Sequence, residues 1–350
     1  MKNKNIRFFC SAAVFLTILA LILSSMQHVL ARKELEKPLD MSRKVAGFYN
    51  EPEDEFAVMF FGSSHVYTAF SPLELWEETG VKSYVFSSQQ QPPWATYTYI
   101  QEALKTQSPE LIVVECHMIL DDQVYYADAV TYSHNDHLPL TWNKVELAWR
   151  SAPDLEGKLG LVCNFLKYHS RWSELKAEDF DYDPRQLRDP YKGFVMLDPK
   201  PESPWWGQPD ISGITWSAPL EEKHRYWLEE IIKLCQEAGV ELWLVKTPSN
   251  LPEDRKALLN AVEELAGQYG VPVFDFNGAE AYAAIGIDQN YFFDRFHLDA
   301  LGGTKFTRCF ARLLLERCPN LSREPEDTAW AADLAAYRAA MDQYQWPDTP

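Results

Sequence analysis

Five short apolar runs without polar alternation constrain the fold of this chain more than any other feature. Runs of this kind are typical of strands that are buried on both faces, as in parallel sheets. Helix-like patterns separate them, and two of these end at Gly239 and Gly270, a common C-cap signal. The predicted strands are 56–61, 83–86, 111–116, 241–245 and 271–276. Their alternation with helices predicts a three-layer α/β/α fold with a parallel sheet.

Three stretches depart from this alternation. Residues 118–215 follow the third predicted strand and are rich in Tyr, Trp, His, Asp and Pro, so we interpret them as an insertion that shapes a substrate cleft. Residues 34–55 are predicted to be a polar stalk, which leaves 56–320 for the α/β domain. Residues 321–350 are predicted to contain a C-terminal helix packed on the body, because an apolar stripe recurs there at helical spacing: Trp330, Leu334, Tyr337, Met341 and Tyr344.

Residues 1–33 indicate where the protein resides. A basic lead, MKNKNIR, precedes residues 8–26, which are apolar and hold no charged side chain. Roughly 20 apolar residues suit a membrane-spanning helix, whereas the core of a cleavable signal is usually shorter. The basic lead places the rest of the chain outside the cytoplasm. We therefore expect a single-pass cell-membrane protein with an extracytoplasmic body. Cleavage near residues 29–31, which would secrete the body, is the alternative.

Charge and cysteine content exclude several classes of function. The formal net charge of the chain is −18, and no basic stripe interrupts the acidic sequence, so nucleic acid is not an expected partner. The six cysteines form no close pairs at metal-binding spacing, which predicts neither a zinc site nor a disulfide framework. The HNDH stretch at 134–137 forms one local segment without a distant ligand, so we expect no metal and no cofactor.

Gly62-Ser63-Ser64 directly follows the first predicted strand. Ligand sites in open parallel sheets lie where strands end at their carboxyl edge. A glycine there permits a tight turn, after which a serine can present its hydroxyl above the sheet while neighbouring N–H groups face a substrate oxygen. Ordinary turns and helix caps have the same composition, so this motif does not define a site by itself.

A second candidate motif, Asp294-x-x-His297, directly precedes the last predicted core helix, 300–317. A catalytic serine needs a base whose pKa lies near neutrality, and a carboxylate can fix the tautomer of that base and stabilise its positive charge. One short turn would provide both groups. A capping aspartate and a surface histidine would give the same pattern.

Taken together, FGSSH and DRFHL resemble the first and last blocks of the SGNH (GDSL-like) hydrolase superfamily, over roughly residues 56–317. The likeness is to membrane-anchored extracytoplasmic members, such as the D-alanine transfer protein of teichoic acid modification and polysaccharide O-acetyltransferases. It implies Ser64 as nucleophile, His297 as base and Asp294 as the acid that orients it. It also implies an esterase or O-acyltransferase whose substrate is an acylated polysaccharide or acyl donor of the cell envelope, with a multi-spanning membrane acyltransferase as a partner.

The chain departs from the superfamily pattern in two places. Ser87 stands about where the second block has a glycine whose N–H serves the oxyanion hole, and we expect Ser87 and Ser88 to contribute there. The third block normally provides an asparagine, whereas LIVVECHMI offers Glu115 and His117. An ionised Glu115 cannot donate a hydrogen bond to an oxyanion. A non-catalytic SGNH-fold protein that binds glycan or a membrane acyltransferase is therefore the alternative function.

Two further residues are weaker candidates for substrate binding. Lys246 ends a predicted strand at the ligand-binding edge, where it would either meet an anionic substrate or remain an ordinary solvated lysine. Trp94, with Tyr97, would either stack on a sugar ring or pack in the core.

Overall fold

The computed structural model describes residues 2–200 and 210–345, with side chains from residue 6 onward. Its described part contains one five-stranded sheet in the order β2-β1-β3-β4-β5, and every neighbouring pair of strands is parallel. The strands are β1 (Val58–Phe61), β2 (Ser83–Val85), β3 (Leu111–Glu115), β4 (Glu241–Lys246) and β5 (Val273–Asp275). The predicted α/β class with a parallel sheet is confirmed.

The central strands are buried on both faces. All four residues of β1 and all five of β3 are buried, although successive side chains of a strand point to opposite faces. Both faces of the sheet are therefore covered by other elements. This burial explains why these strands read as continuous apolar runs and not as alternating patterns.

The described residues also form fifteen α-helices. They are α1 (Lys2–Leu30), α2 (Met41–Phe48), α3 (Ser64–Ala69), α4 (Pro72–Thr79), α5 (Pro93–Ala103), α6 (Asp128–Asn135), α7 (Trp142–Ser151), α8 (Leu155–Val162), α9 (Asn164–Tyr168), α10 (Ala177–Asp181), α11 (Glu222–Ala238), α12 (Glu253–Gln268), α13 (Ala279–Ile285), α14 (Ala300–Arg317) and α15 (Thr328–Met341). Short 3-10 turns lie at His117–Leu120, His169–Ser173, Pro184–Gln186 and Gln289–Tyr291.

The segment predicted to be a polar stalk, 34–55, is not a free linker. It contains α2, whose Met41, Val45 and Phe48 are buried in the main core. The Phe48 ring stacks on Phe86 next to β2, with 4.0 Å between ring centroids. These three apolar residues recur at helical spacing and form one buried face, which the otherwise polar composition of the stretch concealed.

The region interpreted as an insertion, 118–215, is helical where it is described. It holds α6 to α10 between β3 and α11. At the C-terminal end, α15 packs on the body as its apolar stripe predicted: Trp330, Tyr337 and Met341 are buried in the main core. The Trp330 indole also donates a hydrogen bond to Glu55 Oε1 at 2.8 Å.

The first helix differs from all the others in its exposure. Its segment Ile6–Leu30 is long and apolar enough to cross a membrane or to serve as a signal sequence. Of its described side chains, only that of Leu30 is fully buried, at the end that meets the body.

Candidate active site

Gly62 turns the chain from β1 into α3. Its φ of +146° lies in a region that residues with a side chain rarely adopt. A Cβ at this position would also lie 3.1 Å from the Cβ of Glu115 on the neighbouring strand β3. Conformation and space therefore both require glycine here, and the turn makes Ser64 the first residue of α3.

The structure brings Ser64, His297 and Asp294 together, although Ser64 and His297 are 233 residues apart in sequence. The Ser64 hydroxyl lies 2.8 Å from Nε2 of His297. On the other side of the ring, Nδ1 lies 2.9 Å from both carboxylate oxygens of Asp294. Donation from Nδ1 to Asp294 leaves Nε2 free to accept the serine proton. The three residues thus form one continuous hydrogen-bonded chain.

Asp294 is held in place by its own turn. Its Oδ1 accepts hydrogen bonds from the N–H groups of Phe296 and His297, at 2.8 and 2.9 Å. Burial alone would raise the pKa of Asp294. The pKa nevertheless lies below its usual value, because His297 contributes a hydrogen bond and positive charge and the two N–H groups add further hydrogen bonds. The carboxylate is therefore ionised at neutral pH, which favours a proton on Nδ1 of His297.

The two adjacent serines have different surroundings. Ser63 is 1% exposed, and its hydroxyl has no hydrogen-bond partner among the described residues. Ser64 is partly exposed and faces His297. Tyr67, one turn further along α3, is also buried. Only Ser64 is placed to be both deprotonated by His297 and reached from solvent.

Two more histidines lie beside His297. The rings of His65 and His117 stack with 3.7 Å between centroids, and the His65 ring lies 5.1 Å from that of His297. Burial, followed by the nearby charges of Lys246 and His297, lowers the pKa of both stacked rings well below its usual value. Both are therefore neutral at pH 7, and a neutral imidazole keeps one N–H donor.

Lys246 does not present its ammonium group to solvent, so its predicted role in binding an anionic substrate is wrong. Its side chain is fully buried, and Nζ lies 3.0 Å from Oε1 of Glu115, which is equally buried. Thr247 Oγ1 donates to the same oxygen at 3.2 Å. Burial of a carboxylate is costly without a counter-charge, and Lys246 provides it.

The second oxygen of Glu115 contacts the site. Oε2 accepts a hydrogen bond from the backbone N–H of His117 at 2.9 Å. Glu115 is thus part of a buried ion pair that fixes the backbone from which the His117 ring extends.

The two serines after β2 are both buried. The Ser88 hydroxyl donates to Gln91 Oε1 at 3.2 Å, so it points into the body and is not free to bind substrate. Ser87 follows the carboxyl end of β2, which pairs with β1, and therefore lies at the same edge of the sheet as Gly62. The expected role of its N–H stays a prediction.

Trp94 is a core residue, and the prediction that it lines a sugar cleft is wrong. It is fully buried, and its indole N–H donates to Ser151 Oγ at 3.2 Å. The ammonium of Lys223 lies 3.6 Å from the ring centroid. The tryptophan therefore joins α5 to α7 of the insertion.

The HNDH stretch belongs to the end of α6 and its cap. His134 and Asn135 are buried, Asp136 pairs with Lys167, and His137 lies 3.4 Å from Glu34. Within the described ranges, no group of three or more His, Cys, Asp or Glu side chains is arranged to hold a metal ion.

A large cavity lies in the insertion and not at Ser64. Its volume is about 980 Å³, and its walls include Tyr125, Tyr132, Leu155, Leu159 and Leu166. No residue of the Ser64–His297–Asp294 chain lines it.

No protein-family model matches this chain, and no curated protein sequence matches it significantly. Sequence reasoning identified the three central residues of the site but missed the His65–His117 stack.

Proposed function

We propose that this protein is an SGNH-type serine esterase or O-acyltransferase that acts outside the cytoplasm on a cell-envelope or secreted polysaccharide. The observation that carries the proposal is the hydrogen-bonded chain Ser64–His297–Asp294. A serine hydroxyl within 2.8 Å of an imidazole whose other nitrogen binds a carboxylate is the arrangement that activates serine as a nucleophile.

In the proposed reaction, Ser64 Oγ attacks the carbonyl carbon of an ester while its proton passes to Nε2 of His297. Asp294 stabilises the resulting imidazolium. The bond to the leaving oxygen then breaks, His297 returns the proton to that oxygen, and the acyl group remains on Ser64. A sugar hydroxyl or water next gives its proton to His297 and attacks the acyl carbonyl. The bond between the acyl carbon and Ser64 Oγ then breaks as His297 returns the proton to Oγ.

The tetrahedral intermediate carries a negative oxygen that needs hydrogen-bond donors. His117 stands in the region where the superfamily pattern has its asparagine, and its partly exposed ring stacks on His65 next to His297. The ring is neutral, has an N–H to donate, and extends from a backbone fixed by Glu115. We assign His117 as the side-chain donor to the oxyanion, together with the N–H of Ser87.

The location and the substrate class rest on α1 and on the resemblance to anchored members of the superfamily. With its basic lead inside, α1 holds the body on the outer side of the membrane. An acyl donor there would come from a multi-spanning membrane acyltransferase, and the acceptor would be a polysaccharide hydroxyl.

A fluorophosphonate probe tests the chemistry directly, because it reacts covalently only with an activated serine. The full-length protein in isolated membranes should be labelled, and Ser64→Ala and His297→Ala should both remove the label. Ser63→Ala is the matched control, since this buried neighbour has no contact with His297, and it should be labelled like wild type. A folded wild-type protein that fails to react would favour the non-catalytic alternative, binding of glycan or a membrane acyltransferase.

A further inference from the structure

The end of α1 is fixed to the insertion by hydrogen bonds. Nη1 of Arg171 donates to the carbonyl oxygens of Leu30 and Ala31, at 2.6 and 2.9 Å. Carbonyls at the end of a helix lack partners within the helix, so this arginine caps α1 from outside. His28 Nε2 lies 2.8 Å from the carbonyl oxygen of Tyr182, just after α10. The end of α1 and the insertion therefore form one packed unit.

The depth of this contact in a membrane follows from the length of α1. The charge-free run 8–26 is about 28 Å long as a helix, which matches the roughly 30 Å hydrocarbon core of a bilayer. The next turn, 27–30, then lies at the membrane–water interface. It is this turn that contacts the insertion, because α9, α10 and the turn His169–Ser173 pack against α1. These elements of the insertion must therefore lie at the same depth in the membrane as residues 27–30.

Exposed apolar side chains concentrate in the insertion. Outside α1, thirteen large apolar side chains of the described residues are exposed, and ten of them lie within 118–215. Five lie on α8 to α10 and the turn between them, and we name these five the interface patch: Leu155, Leu159, Leu166, Trp172 and Phe180.

The patch is not a scatter of single residues. Leu155, Leu159 and Leu166 line one groove together, and Trp172 directly follows the arginine that caps α1. The exposed fractions of Leu166, Trp172 and Phe180 are 52%, 74% and 62%. Clustered apolar exposure of this kind marks a surface that is covered in use.

We propose that the interface patch rests in the headgroup and upper acyl region of the membrane that α1 crosses. Tryptophan and phenylalanine beside leucine suit this zone, in which apolar faces are buried a few ångströms deep. Residues 155–182 carry four basic and five acidic side chains, whereas the whole chain has a net charge of −18. Anionic lipids therefore repel this face less than the rest of the protein.

The residues that follow α1 contact the insertion as well, since Glu34 lies 3.4 Å from His137, just after α6. The inference rests on the proposed membrane orientation of α1 and not on the serine chemistry.

Quenching of tryptophan fluorescence by brominated lipid tests the proposal, because α1 contains no tryptophan. Full-length protein is reconstituted into vesicles of phosphatidylcholine and phosphatidylglycerol, with and without bromine on the acyl chains. We expect quenching of the wild type and loss of most of the quenchable component in Trp172→Phe. Trp216→Phe is the matched control: Trp216 is also exposed, but it lies beside α12, where Asn260 binds its carbonyl. This control should be quenched like wild type.

A second variant tests the apolar contact itself. Leu166→Glu places a charge on an exposed position of the patch and should lower the quenching toward the level of Trp172→Phe. Equal quenching of wild type, Trp172→Phe and Leu166→Glu would overturn the proposal. Absence of quenching in vesicles of lipid alone would overturn it as well. If the patch residues were then protected only in the presence of a multi-spanning membrane protein, the patch would be a protein-docking surface. Fluorophosphonate labelling of the same vesicles reports the Ser64 chemistry separately.

Discussion

Replacement of His117 by alanine is the sharpest test of how the site works. The substitution removes the ring that we assign as oxyanion donor but leaves the Ser64–His297–Asp294 chain and the Glu115 contact to the backbone N–H intact. We expect fluorophosphonate labelling to slow but persist, and turnover of ester substrate to fall sharply. His117→Asn restores the donor type of the superfamily pattern and should recover most of the lost rate.

The expected magnitude follows from what the ring contacts. Loss of one oxyanion donor costs about 10²–10³ in kcat, or about 2.7–4 kcal/mol of transition-state stabilisation. The oxyanion exists only in the transition state and intermediate, so KM should change little. The His65–His117 stack is an aromatic contact worth about 0.5–1.5 kcal/mol of stability. The loss of this contact is small beside the usual stability of about 5–15 kcal/mol of a folded protein, so the variant should stay folded.

The assay is steady-state hydrolysis of p-nitrophenyl acetate by full-length protein in nanodiscs, with thermal unfolding measured on the same samples. A His117→Ala variant that is folded and keeps the wild-type kcat would refute the assignment. A His117→Asn variant as slow as His117→Ala would also refute it, because that result would show that an N–H donor at this position does not stabilise the oxyanion.

Three further predictions concern the rest of the site and the core. Ser64→Ala and His297→Ala should each abolish hydrolysis, and the double variant should be scarcely worse, because the residues act as a unit; additive losses would contradict this. Glu115→Gln should lower the free energy of unfolding by about 3–5 kcal/mol because it leaves the Lys246 ammonium buried without a counter-charge, and adding Lys246→Met should restore most of it, as measured by denaturant unfolding. Burial lowers the pKa of His134 to about 3, so only the unfolded chain gains this proton as pH falls below about 6.5. The contribution of this histidine to the free energy of unfolding should therefore be constant above that pH and should fall by up to about 1.4 kcal/mol for each pH unit below it. The free energy of unfolding of His134→Leu should fall less steeply over the same pH range.

The features that could be predicted from the sequence were those that a local pattern of residues determines. The apolar runs predicted all five strands to within two residues at each end, because burial on both faces leaves an unbroken apolar signature. The helix α14 begins and ends where its pattern indicated, with Asp299 as its N-cap. The convergence of Ser64 with Asp294 and His297 was implied by the resemblance of FGSSH and DRFHL to the SGNH blocks, whereas the rule that ligand sites lie at the carboxyl edge of a parallel sheet indicated only the serine turn.

The errors arose where long-range packing determines the environment. An isolated Trp94 on a helix reads equally well as core or as surface, and only its contact with Ser151 of the insertion places it inside. The stretch 34–55 looked polar because Met41, Val45 and Phe48 of α2 are separated by small, polar and charged residues, most of which are also buried. Lys246 looked like a free strand end because its partner lies on a strand 131 residues away.

The pairing of β3 with β4 explains the burial of Lys246. The register places Glu115 opposite Val245, so the lysine that follows lies next to the carboxylate at the edge of the sheet. A glutamate at this position would be untenable alone, because a buried carboxylate needs a counter-charge, and Lys246 and Thr247 provide the charge and a hydroxyl. Its remaining oxygen then holds the backbone of His117. Glu115, Lys246 and His117 therefore form one coupled unit, and under our proposal this unit positions the ring that donates to the oxyanion.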